Sequence, residues 1–90
     1  MDKSALVPLI RTLRAELAAE ESSNLVRQAQ HQCDRLEQAF LQSHAEGLRF
    51  ASFTLTRLMQ QPGANLRSAT VAAGKHLKDA LDAAGYSHQH

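Results

Sequence analysis

Tryptophan is absent, tyrosine occurs once, and three phenylalanines complete an aromatic share of 4%. That scarcity excludes a core built on large rings, so leucine and alanine must supply it. Alanine-rich helices pack closely but remove less apolar area per residue than larger side chains do. The single cysteine, Cys33, rules out an intrachain disulfide and fits a reducing cytoplasm better than a secreted scaffold. No apolar stretch approaches the roughly 18 residues of a membrane span. The run from Ala5 to Ile10 is interrupted by Pro8 and ended by Arg11, which makes it too short for a signal-peptide core. Charge of one sign is scarce as well. Ten Lys and Arg face nine Asp and Glu, for a net charge of +1, and the basic residues are scattered along the chain. Nucleic-acid binders gather them into a patch, because phosphate contacts supply most of the affinity. Neither a nucleic-acid nor a membrane partner is expected.

Proline and glycine are sparse too. From Leu25 to Met59 there is no proline, and Gly47 is the only glycine. Apolar positions recur at helical spacing throughout. As one helix this stretch would run about 50 Å, whereas a compact domain of this size is roughly 30 Å across. The helix therefore bends near Gly47 or projects and needs another chain to cover it. Ninety residues make one domain, near the size where a single core is marginally sufficient. That domain is expected over 1–86, with 87–90 a disordered tail.

What is present reads as helix. Leu6, Ile10, Leu13 and Leu17 form one stripe at spacings of four, three and four, with Leu9 widening it, over a helix of about residues 4–21. Pro8 leaves its start open: either Ser4 caps, or Pro8 opens the helix and Leu6 and Val7 lie outside. Ser22, Ser23 and Asn24 favour a turn, with Ser22 or Ser23 capping the next helix. There Leu25, Ala29, Cys33, Leu36 and Phe40 share a face, which Ser43 and Gly47 continue. Arg27, His31, Asp34 and Gln38 lie opposite. Beyond Gly47 the pattern widens: Leu48, Leu55 and Met59 lie on one side, Phe50 and Phe53 on another, with Ala51 and Leu58 between. Only Arg49, Ser52, Thr56 and Gln60 face away. A helix apolar over most of its girth is buried on more than one side. Gln61-Pro62-Gly63 ends the stretch with a turn. A last helix over about 65–84 carries Leu66, Ala69, Ala73, Leu77, Ala80, Leu81 and Ala84 on its apolar face. Lys75 with Asp79 and Lys78 with Asp82 form spacing-four pairs on its wet side. Gly85 ends it, and Tyr86 folds back on the last turn.

Catalytic and metal chemistry find little support. No two of the five histidines stand three or four apart, the spacing of helical zinc pairs. His31 and Cys33 fall on different faces. Cys33 beside Leu36 and Phe40 reads as a small buried apolar group. His44 and His76 both lack the lysine-and-glycine continuation of a histidine phosphotransfer domain. There is no glycine-rich phosphate loop and no nucleophile elbow. No cofactor and no metal are expected, and the chain is not expected to be an enzyme.

The expected fold is all-α, with three to four helices in an antiparallel bundle, the second long or kinked near Gly47, and two chains in a homodimer. The expected function is a small non-enzymatic protein–protein interaction module of bacterial, cytoplasmic type. It would be a regulator that sequesters a partner such as a transcription factor. Its interface would comprise Leu48, Phe50, Phe53, Leu55, Arg57 and Met59, with a phenylalanine as anchor. The alternative is a metal- or ligand-responsive helical sensor in which histidines meet across a dimer interface.

Overall fold

Four α-helices follow one another along the chain: α1 (Leu6–Ala18), α2 (Asn24–Leu41), α3 (Ala45–Met59) and α4 (Ser68–Ala83). The computed structural model describes residues 5–61 and 65–85, and no strand occurs among them. The Ser4 cap, the Pro62-Gly63 turn, the folding back of Tyr86 and the tail at 87–90 lie outside the described residues.

In α1 the predicted stripe is the buried one: Leu6, Ile10, Leu13 and Leu17 are fully enclosed. Pro8 stands third in the helix, within the first turn, where a backbone N–H has no intrahelical partner to lose. Leu6 and Val7 therefore lie inside the helix, which settles the open boundary. In α2, Ser23 Oγ accepts the Val26 N–H at 3.1 Å and caps the helix. Its buried stripe is Val26, Ala29, Cys33, Leu36 and Ala39. The expected face was turned slightly off this axis, and Leu25 and Phe40 sit half-buried at its margins.

The expectation of one long helix is corrected, and the bend expected near Gly47 is a full break between two helices. The chain breaks earlier, at residues 42–44, where Ser43 takes a positive φ of 54°. His44 is the N-cap of α3, and its Nδ1 accepts the Gly47 N–H at 2.9 Å. Gly47 belongs to the first turn of the new helix, not to the hinge. The length argument explains why a break is needed. The molecule measures 32 × 26 × 19 Å, and α2 alone, at about 27 Å, nearly spans its longest axis.

In α3 the buried residues are Leu48, Ala51, Ser52, Leu55 and Leu58. Ser52 was expected to face away, and so was Thr56. Ser52 instead lies in the same i, i+3/i+4 row as Leu48 and Leu55, and register places it inside although its side chain is polar. Thr56 is half-buried. In α4 the inner row is Thr70, Ala73, Leu77, Ala80 and Leu81. Leu66 and Ala84 pack against the core from its margin, while Ala69 is exposed.

Among the described residues the helices close a ring. α1 neighbours α2 and α4, and α3 neighbours the same two; α1 and α3 stand diagonally across the shared core, as do α2 and α4. The seam between α3 and α4 is the thinnest of the four. No helix of the described residues is long and apolar enough to cross a membrane.

Candidate functional site

The outer face of α3 is what the ring leaves over. Once Leu48, Ala51, Leu55 and Leu58 turn inward, the helical repeat carries Phe50 and Phe53 outward, and they remain 59% and 38% exposed. The Arg57 guanidinium sits over the Phe53 ring, 5.5 Å from its centroid. This cation–π contact lies one turn along the same helix and stiffens both side chains. Two of the three phenylalanines of a ring-poor chain are thus placed at its surface.

Of the six residues predicted for an interface, Phe50, Phe53 and Arg57 share this exposed face. Leu48 and Leu55 do not: both are core residues, and a surface partner would not reach them. Met59 is half-buried against the core at the α3–α4 seam, where its Cε reaches the place a Cβ on Gly74 would occupy. Sequence spacing puts Leu48, Leu55 and Met59 on one side, and that side is the inner one.

The α3–α4 seam also holds a cleft of about 330 Å³. Leu13 of α1, Leu55 and Met59 of α3, and Leu77 and Leu81 of α4 line it, and Ser52, Thr56 and Gln60 are polar residues of the same lining. Ser52 is 2% exposed, and its Oγ has no hydrogen-bond partner. No sequence signal marks this hydroxyl except its position in the buried row.

The remaining polar groups hold the fold together. Glu20, just beyond α1, reaches the start of α4. Its carboxylate accepts the Arg67 backbone N–H at 3.0 Å, Arg67 Nε at 3.2 Å and the Thr70 hydroxyl. The Thr70 hydrogen bond and then the Arg67 contacts hold this carboxyl below the usual carboxylate range, against the opposing effect of burial. An anion at the start of a helix also matches the helix dipole. Between α1 and α2, Arg14 lies 2.6 Å from Asp34 and 3.3 Å from Glu37, and Arg11 lies 3.1 Å from Glu37. The hydrogen bond to Asp34 raises the Arg14 pKa further. Beneath this network, burial pushes the Cys33 thiol up to about 12 despite the nearby Arg14 charge. At neutral pH it is a thiol and not a nucleophile.

Among the described residues no group of three or more His, Cys, Asp or Glu side chains is placed to hold a metal ion. His31 and His76 are exposed, and His44 is engaged as a cap. His88 and His90 lie outside the described residues. Comparison with protein-family models, with curated proteins and with solved structures finds no match to this chain.

Proposed function

We propose that the chain is a small non-enzymatic protein–protein interaction module that acts through the outer face of α3. The observation that carries this reading is the exposure of Phe50 and Phe53, with Arg57 stacked beside them. Aromatic and arginine side chains are the usual anchors of protein interfaces. The helical spacing of 50, 53 and 57 presents them as one ridge that fits a groove.

The simplest occupant of that face is the same face of a second chain, giving an isologous homodimer. A regulator of this kind would work stoichiometrically in a bacterial cytoplasm, by occupying a partner such as a transcription factor. An antiparallel order of the four helices belongs to the reading. Arg11 with Glu37 and Arg14 with Asp34 pair in opposite sequence directions, and Glu16 and Glu20 at the end of α1 meet Arg67 at the start of α4.

Sedimentation equilibrium over a range of concentrations tests the surface. The wild type is expected to self-associate. Phe50→Glu and Phe53→Glu should each weaken association by at least about tenfold while keeping the helical circular dichroism, because each buries a charge where an anchor stood. Unchanged association in both variants would remove this face from the interface.

A further inference from the structure

The cleft between α3 and α4 is separate from the phenylalanine face and does not depend on it. Its apolar wall is Leu13, Leu55, Leu77 and Leu81, with the flexible Met59 across Gly74, and Thr56 and Gln60 also line it. At about 330 Å³ it falls within the range of small-molecule sites. The adjoining seam is the thinnest helix–helix contact in the ring.

Two features define an occupant. Ser52 Oγ is shut off from solvent without a protein partner, although a buried hydroxyl bears its full desolvation cost when unpaired. A hydroxyl both donates and accepts, so it serves an alcohol, a phenol or a carbonyl equally. The rim, in contrast, carries charges of both signs. Lys75 and Lys78 stand with Asp79 at the mouth, and the Lys78 ammonium is held 3.0 Å from the Asp82 carboxylate. The aliphatic walls would penalise an ionised group carried into the cleft.

We propose that this cleft binds a small, uncharged, predominantly apolar molecule whose one hydrogen-bonding group pairs with Ser52 Oγ. Met59 is the movable wall. Its unbranched thioether swings aside at little cost, and Gly74 leaves room for it to do so.

The test uses one skeleton in three forms: 1-naphthol, naphthalene and 1-naphthoate. Binding to the full chain is followed by methyl chemical shifts of Leu55, Leu77, Leu81 and Met59. Naphthol is expected to shift these methyls and to bind several-fold more tightly than naphthalene, with naphthoate the weakest. Ser52→Ala should abolish the preference for naphthol while leaving naphthalene binding unchanged. Gly74→Leu, checked for retained helicity, should reduce both. The proposal is overturned by shifts confined to other methyls, by a naphthol preference that survives in Ser52→Ala, or by naphthoate binding best.

Discussion

Two buried hydroxyls separate a satisfied polar residue from an orphaned one. Thr70 is fully enclosed and donates to the Glu20 carboxylate, whereas Ser52 is enclosed and donates to nothing. Removing them should therefore act in opposite directions. Ser52→Ala deletes a group that bears desolvation without return, so the ligand-free protein should be as stable as the wild type or up to about 1 kcal/mol more stable. Thr70→Val strips a donor from a carboxylate that stays behind, and its urea midpoint should fall. The same carboxylate gives a pH signature. Its folded pKa is depressed, so its stabilisation is complete above the unfolded value of about 4.3 and is lost as pH falls through the lower folded value. Glu20→Gln should thus be less stable than wild type at pH 6, and the gap should close in strongly acid solution. A gap that stays constant from pH 6 to pH 3 would show that the carboxylate charge plays no part.

At the scale of the element, periodicity carries much of the fold and junctions carry the rest. The α1 stripe is readable because Leu6, Ile10, Leu13 and Leu17 are large, apolar and evenly spaced. The α2–α3 break is not, because no proline or glycine marks it. It rests on Ser43 adopting a left-handed conformation and on an imidazole acting as a cap, both uncommon uses of those residues. Chemical type misdirects the reading of Ser52, whose register sends it inward. The Glu20–Arg67 clamp joins residues 47 apart in sequence, and nothing local announces it. The same reasoning locates the useful part of the predicted interface: Phe50 and Phe53 lie off the stripe that holds Leu48 and Leu55. Two helical glycines then test the junction directly. A Cβ on Gly47 would stand 2.7 Å from His44 Nδ1 and 3.2 Å from Ala39 Cβ, against groups held by the cap and the core. A Cβ on Gly74 would come too close only to the tip of Met59, at 2.9 Å, its other neighbours lying at ordinary contact distance. Gly74→Ala should raise stability by about 1 kcal/mol through helix propensity, while Gly47→Ala should lower it despite the same propensity gain. Chemical denaturation of both variants checks the contrast, and equal stabilisation would place Gly47 outside any tight contact. His44→Ala should cost about 1 kcal/mol as a lost cap.

The whole molecule spends its apolar residues in a way that makes self-association measurable without knowing any other partner. Its core is made of leucines and small side chains, so most of its aromatic ring area is left for Phe50, Phe53 and the half-buried Phe40. A single chain encloses the leucine stripes of its helices, so the proposed homodimer would join copies whose cores are already closed. Under the proposed homodimer, the two phenylalanines add stability only when two chains meet, and that contribution depends on mass action. Raising protein concentration about a hundredfold through the dimerisation range should then add about 2.7 kcal/mol of apparent stability per dimer, seen as a rising melting temperature. Phe53→Glu should melt at one temperature regardless of concentration, and should match the wild type at high dilution, because it leaves the inner row of α3 untouched. Ser52→Ala should retain the wild-type concentration dependence, since the cleft lies apart from the dimer face. A wild-type melting temperature that does not move with concentration would leave the outer face of α3 to a partner other than its own copy. Concentration dependence persisting in Phe53→Glu would instead place the contact between chains elsewhere on the ring.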